Sequence, residues 1–277
     1  MDLRLEAAVT AGFLLPEAAK NCEAWLHDLP EWGQQSVEEC IVQKRWDELN
    51  NRFFQNLAFG TGGMRSRTIA ECVTKAEQGT GSTFGAPEHA AVGSAYLNDF
   101  NIARATIALF RYCKTQDTNG LRLVIAHDVR HFSEKFAQIT ARIWNLLGGK
   151  ALLFEGPRST PQLSFSVRKY RAIAGIVITA SHNPAHDNGY KVYFRDGAQV
   201  VDPHASAIIE NFKKISLREA VEVLTTIERQ PVALQYFDAE ADRAYIQELK
   251  TNLFEPETFK KTPGEVVFTP IHGTGDI

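Results

Sequence analysis

LRLVIAHD (residues 121–128), SEKFAQITARIWNLLGG (133–149), KALLFEG (150–156), TPQLSFSVRKY (160–170) and AGIVITA (174–180) follow one another along the chain. The first, third and fifth are short apolar runs ending in polar or glycine residues, which is how strands buried on both faces read. The second is an amphipathic helix stopped by Gly148 and Gly149, with Ser133 expected as its cap. The fourth starts a helix with Pro161 in its first turn. Strands and helices alternating at this spacing give βαβ units, hence a layered α/β/α domain around a mixed, mostly parallel sheet. In such sheets ligands bind beyond the carboxyl ends of the strands. The polar clusters at 128–130, 158–160 and 181–183 all fall there, although His127 and Asp128 also read as ordinary strand-end residues.

Upstream, VEECIVQKRWDELNNRFFQNLAF (37–59) spaces Val37, Ile41, Trp46, Leu49, Phe53 and Leu57 as one helix face, with Ser36, Glu38 and Glu39 suited to its start. The glycines of GTGGMR (60–65) end it. Residues 71–91, containing GTGSTFGAP, show no core pattern and read as an insertion or flap. NDFNIARATIALFRYCKT (98–115) is again helical. Downstream, 203–215 reads as a helix and 216–231 as a domain junction. A further helix occupies 236–254, in which Asp238, Glu240, Asp242 and Arg243 are a capped start rather than a metal loop. EVVFTPIHGTGDI (265–277) reads as a strand and glycine turn, the opening of a second α/β domain. The expected division is a helical segment over 1–58, a catalytic α/β/α domain over 59–225, and a linker helix with the start of the next domain over 226–277.

The 277 residues carry 30 Lys+Arg against 33 Asp+Glu, a net charge of −3, which gives no general attraction to nucleic acid. The longest uncharged apolar run, 172–180, is far below the ~20 residues that span a bilayer. Asp2 and Glu6 stand where a secretory signal would be basic, and Cys22, Cys40, Cys72 and Cys113 form no CxxC pair. A cytoplasmic protein without membrane or nucleic-acid partners is the expectation. The tryptophans read as packing residues.

The chemistry concentrates in TASHNPAHDNGYKVY (179–193). A strand delivers Ser181 onto a turn made by Asn183 and Pro184, which exposes the hydroxyl at the sheet rim. The Asn188-Gly189 turn lets Lys191 fold back toward it. A serine with a nearby His and Lys suits nucleophilic or phospho-carrier chemistry. A serine-hydrolase reading fails, because G-x-S-x-G is absent and Ser181 and His182, as neighbours on an extended strand, would point to opposite faces.

TASHNP followed by NGYK resembles the active-site loop of the α-D-phosphohexomutases, the phosphoglucomutase/phosphomannomutase family. FGTGGMR (59–65) is similar to that family's FGTxGxR signature, with Ser66 where the family usually has Gly, and TPIHGTG (269–275) resembles the opening of its second domain. The N-terminal helices look most like the longer phosphoglucomutase/phosphopentomutase branch. The resemblance implies interconversion of hexose 1- and 6-phosphates, glucose first, through a phosphoserine and a bisphosphate. Ser181 would carry the phosphate and, through it, one ligand position of a Mg²⁺ whose other ligands come from the second domain. Lys191 would act as general acid or base and His182 would assist. Thr61, Gly62, Arg65, Arg130, Asn183 and Asn188 would contact phosphate or substrate. Glucose 1,6-bisphosphate would be activator and intermediate, and surface left by missing domains is a candidate for self-association. The family's DGDxDR metal loop is absent, so this chain alone is expected to be inactive; a non-catalytic sugar-phosphate-binding relative is the alternative.

Overall fold

The computed structural model describes residues 2–60, 62–81, 85–117, 120–254, 257, 261 and 264–275. Helices α1 (Leu3–Thr10), α2 (Pro16–Leu26), α3 (Glu31–Val42) and α4 (Trp46–Phe53) come first. The single helix read from residue 37 onward is therefore two, parted where Lys44 takes a φ of 54°. Ser36 lies inside α3, fully buried, instead of starting a helix. A buried hydroxyl needs a partner, and Ser36 Oγ donates to Glu77 Oε1 at 2.9 Å.

Strand β1 (Gly63–Arg67), α5 (Lys75–Gln78) and α6 (Asp99–Gln116) follow. Asn98 caps α6 by accepting from the Asn101 amide, which removes one of the orphan donors of a helix start. The alternation then appears as expected: β2 (Arg122–His127), α7 (Ser133–Leu146), β3 (Lys150–Leu153), α8 (Thr160–Lys169) and β4 (Ala174–Ile178). After β5 (Asp187–Phe194) come α9 (His204–Lys214), α10 (Leu217–Arg229) and α11 (Ala239–Thr251).

The sheet order is β1-β5-β4-β2-β3. β2 pairs in parallel with both β3 and β4, while β5 is antiparallel to β4 and to β1. Only β5 runs against the rest, so the sheet is mixed and mostly parallel. Side chains alternate strictly along each strand. Leu123, Ile125, Ile176, Ile178, Tyr190 and Val192 enter the larger core, shared with α6, α7 and the N-terminal helices. Val124, Ala126, Val177 and Tyr193 enter the smaller one, against Leu163 and Val167 of α8 and Ala241 of α11. These two cores are the interfaces of an α/β/α sandwich, and they explain why the parallel strands read as unbroken apolar runs.

Three stretches differ from the sequence reading. The described part of 71–91 is anchored: Thr74 starts α5 with a full capping box, and Glu77 is buried against Arg52, to 2.5 Å at its closest; residues 82–84, in the middle of the expected flap, lie outside the described residues. Residues 217–229, expected as a junction, are α10, capped by Ser216 accepting from Glu219 N at 3.1 Å. Its Leu217, Ala220, Leu224 and Ile227 are buried in the larger core, at about 1.5–3 kcal/mol for each large aliphatic side chain. Residues 264–270 form no strand, and Val266, Val267 and Phe268 are exposed. Among the described residues no strand lies alongside to pair with them, and an isolated strand leaves its backbone groups unsatisfied. Among the described residues, no helix is long and apolar enough to cross a membrane.

Candidate active site

β4 carries the chain to the rim, where Thr179 N donates to Gly189 O at 3.0 Å as the last tie to the neighbouring segment. Two residues later Ser181 is exposed and takes a φ of 58°. That left-handed conformation costs a residue with a Cβ about 1–3 kcal/mol, so the surroundings must hold it. Thr179 Oγ1 accepts from Ser181 N at 3.0 Å, and Asn183 N donates to Ala180 O at 3.1 Å. The rest of the grip comes from Arg130. Its guanidinium donates to the carbonyls of Ser181 (2.8 Å), Asn183 (2.6 Å), Pro184 (2.7 Å) and Asp187 (3.1 Å). Arg130 is thus a clamp on the loop, with its hydrogen bonds directed to backbone oxygens; the expected phosphate contact is not what its geometry displays.

A second line of bonds anchors the clamp. Asp128 lies 3.3 Å from Arg130 Nε, and its Oδ1 accepts from Arg130 N (3.0 Å) and Ser133 Oγ (2.6 Å). Ser133 Oγ in turn accepts from Asn188 Nδ2 at 2.8 Å. Ser133 is accordingly not the cap of α7; Phe132 holds that position without a side-chain hydrogen bond. Asn188 is fully buried. Its amide also donates to His131 O at 3.1 Å and its Oδ1 accepts from Gly189 N at 2.8 Å, so it braces the rim from beneath and its expected substrate contact is not formed by an exposed group. Gly189 is required by close approach: a Cβ there would lie 2.5 Å from Thr179 O.

Ser181 Oγ lies 3.3 Å from His182 Nδ1. The extended-strand argument that kept these neighbours apart fails because Ser181 is not extended. Arg65, on β1 opposite Gly189, donates to Asn183 Oδ1 at 3.2 Å and is otherwise exposed. Gly62 has φ 86° and accepts from Val192 N at 2.9 Å, while a Cβ on Gly63 would lie 2.0 Å from Tyr190 O. These two glycines let β1 press against β5; Gly62 offers backbone, and Thr61 lies outside the described residues. Ser66, in place of the usual glycine, turns its hydroxyl to Ala95 O at 2.7 Å.

Lys191 sits half-buried on β5, between two residues of the larger core and therefore on the opposite face. Burial, reinforced by the charge of Arg65 and opposed by Asp128, pulls its pKa below the ordinary lysine value. Its ammonium makes no hydrogen bond or salt bridge among the described residues, which leaves it available.

Asp128, Arg130, Thr179, Ser181, His182 and Asn183 border a hollow of about 620 Å³ at this rim. His272, Gly273 and Thr274 line it too, whereas Lys191 and Arg65 do not. The sequence reading quoted that TPIHGTG segment but gave it no part in the site. Arg158, at the third strand end, is instead paired with Asp242 at 2.8 Å. Asp238 caps α11, so the acidic run there is committed to helix and ion pair. Among the described residues no group of three or more His, Cys, Asp or Glu is placed to hold a metal. The donor set among the described residues does not fit a metal by itself.

Residues 81–219 match the family model for phosphoglucomutase/phosphomannomutase, alpha/beta/alpha domain I. The chain is 32% identical over 252 residues to a phosphoribomutase of Saccharomyces cerevisiae, covering 87% of this chain and 37% of that protein. It is 33% identical over 225 residues to a phosphoglucomutase of Staphylococcus haemolyticus (80% and 36%), and 30% identical over 266 residues to a phosphopentomutase of Pongo abelii (91% and 39%). A solved structure from Thermus thermophilus assigned to the phosphomannomutases aligns with TM-score 0.52 and 25% identity, over 72% of this chain and 37% of that one. The chain thus spans less than two fifths of the length of each of these relatives.

Proposed function

This chain belongs to the phosphoglucomutase/phosphomannomutase family, and on that premise we propose that it is the N-terminal part of a phosphosugar mutase whose Ser181 carries the phosphoryl group. The observation that supports this most is the exposed serine, held at φ 58° by a clamp and lining an open hollow. A structural serine would not need four carbonyls of its loop tied down by one guanidinium.

In the proposed cycle the Ser181 Oγ–P bond breaks as a P–O bond forms to a hydroxyl of the sugar monophosphate. The hydroxyl proton passes by way of Lys191 to Ser181 Oγ, leaving free serine and a sugar bisphosphate such as glucose 1,6-bisphosphate. After the bisphosphate reorients, its other sugar O–P bond breaks as a bond forms to Ser181 Oγ, and the serine proton passes to the oxygen released on the isomeric monophosphate. Lys191 suits the proton transfer because its lowered pKa brings the neutral form closer to working pH. His182, at 3.3 Å from Oγ, steadies the same hydroxyl. Arg65 supplies fixed positive charge for the transferring oxygens.

Glucose 1-phosphate is the proposed substrate, then mannose or pentose 1-phosphates, a range supported by relatives named phosphoglucomutase, phosphoribomutase and phosphopentomutase and by the phosphomannomutase structure. The test is a coupled isomerisation assay on the full-length natural protein with each sugar 1-phosphate. Activity should fall by about 10³-fold or more in Ser181→Ala. Retained sugar-phosphate binding with no turnover in the wild-type protein would overturn the mutase reading in favour of a non-catalytic binding relative. The 277-residue chain alone should show no turnover.

A further inference from the structure

At the opposite end of the sheet, where β2, β3 and β4 begin and β5 ends, the chain gathers positive charge. Two adjoining hollows of about 310 and 480 Å³ share Gly120 and Arg171. Arg168, Arg171 and Arg195 line the first; Arg122, Lys150 and Arg171 line the second. All five cations are exposed. The carboxylate of Asp117 lines the first hollow as the single acidic residue of either, so five positive groups face one negative group in a chain whose net charge is −3.

Ordinary structural roles account for part of this. Arg168 lies in the last turn of α8, where a cation complements the helix dipole, and its guanidinium reaches Ser164 Oγ at 3.1 Å. Arg122 donates to Tyr170 O at 2.5 Å, and Arg195 lies over the ring of Phe194 at 5.0 Å. None of the five forms a salt bridge among the described residues. One feature has no structural explanation. Arg122 and Lys150 are direct partners in the β2–β3 register, and like charges set opposite each other across strands are destabilising. Arg171, at φ 50°, is the left-handed residue that closes α8, with Ala172 N donating to Val167 O at 2.9 Å, so the helix end itself sets it between the two hollows. The fold thus accepts like-charge repulsion on the wall of the second hollow, and the end of α8 places Arg171 between it and the first.

We infer that this edge is a binding site for a small oligoanion bearing two or more phosphate groups, separate from the serine rim. Guanidinium groups bind phosphate through paired N–H donors, and two joined hollows with the shared Arg171 between them suit a ligand whose charges are linked. The concave shape and the lack of exposed large apolar residues at this edge favour a small ligand over a membrane surface. Because the site lies on the far ends of the strands that carry the rim, occupation would be read there as regulation rather than chemistry.

The probe is inorganic tripolyphosphate, titrated calorimetrically into the 277-residue chain at about 20 and about 150 mM salt, with inorganic phosphate as the single-charge-centre comparison. Tripolyphosphate should bind, weaken as salt rises, and exceed phosphate by about tenfold or more in affinity. Arg122→Gln/Arg171→Gln should weaken it by about tenfold or more, while Arg65→Gln at the rim leaves it unchanged. No tripolyphosphate binding at low salt, equal affinity for phosphate, or binding that survives the double substitution and is lost in Arg65→Gln would each overturn the inference. Should the double variant fail to unfold cooperatively, hydrogen exchange on the wild-type chain decides. Tripolyphosphate must then slow exchange at residues 120–122 and 148–150, and slowing confined to 181–187 contradicts the site.

Discussion

Two polar loops follow the glycines of residues 60–63, and they handle charge in opposite ways. In the stretch from Cys72 to Val92, Arg52 is fully buried and every one of its donors is engaged. It reaches Glu48 at 2.7 Å, Glu77 at 2.5 and 3.0 Å, and the carbonyls of Cys72 (3.0 Å) and Val92 (3.1 Å). Glu77 completes the lock by accepting from Ser36, from Val92 N and from Thr74 N. In the stretch from Thr179 to Asn188, Arg130 likewise ties down backbone oxygens, but the tip it fixes stays exposed and Ser181 keeps unfilled capacity. The same residue type thus serves two ends. A closed network ties α3 and α4 to the stretch around α5, and an open one presents a strained hydroxyl to a ligand.

The comparison breaks most sharply at Arg52. Arg52→Ala leaves Glu48 and Glu77 buried without their counter-charge and should cost about 3–5 kcal/mol, measured by urea unfolding of the 277-residue chain. At the rim, Gly189→Ala drives a Cβ to 2.5 Å from Thr179 O and should cost about 1–3 kcal/mol in the same measurement. Arg130→Gln releases the loop instead of the core. Its stability loss should be smaller, while hydrogen exchange at 181–187 quickens and phosphoserine formation slows by about tenfold. Equal unfolding penalties for Arg52→Ala and Arg130→Gln would erase the distinction between lock and clamp.

Acid provides a finer separation. Burial pushes Glu77 up, but the charge and hydrogen bonds of Arg52, with the amides of Val92 and Thr74, hold it net below its ordinary 4.5. The unfolded chain therefore takes up this proton at higher pH than the folded one does, so the lock stabilises fully above about 4.5 and fades as pH falls through the lower folded value. Arg52→Met/Glu77→Leu should flatten that acid limb in pH-dependent thermal melts. The Lys191 shift has the opposite consequence. Its folded pKa is depressed, so the folded state sheds the proton first and gains relative stability as pH rises through that value. The effect is small at a half-exposed group, and Lys191→Met should remove it.

Periodicity and turn chemistry carried the α/β/α layering, because short apolar runs between amphipathic segments have few other solutions. TASHNP carried the serine, since strand end, turn residues and hydroxyl lie within a few positions. The lock was illegible for a physical reason: Arg52 and Glu77 stand 25 residues apart, and a charged residue between glycines reads as solvated surface until the fold buries it with its partner. The role of Arg130 was hidden in the same way, because a side chain that binds main-chain carbonyls has no partner residue type to recognise. The left-handed Ser181 could not be read either, since only glycine and asparagine advertise that conformation.

The central claim is that Ser181 Oγ is the atom that carries phosphate, and site-resolved phosphopeptide mapping after incubating the full-length protein with glucose 1,6-bisphosphate tests it most directly. The account predicts one added phosphoryl group, about 80 Da, on the peptide containing Ser181, discharged on addition of glucose 6-phosphate and absent from Ser181→Ala. Phosphate found on another residue, or undiminished labelling of the alanine variant, would contradict it.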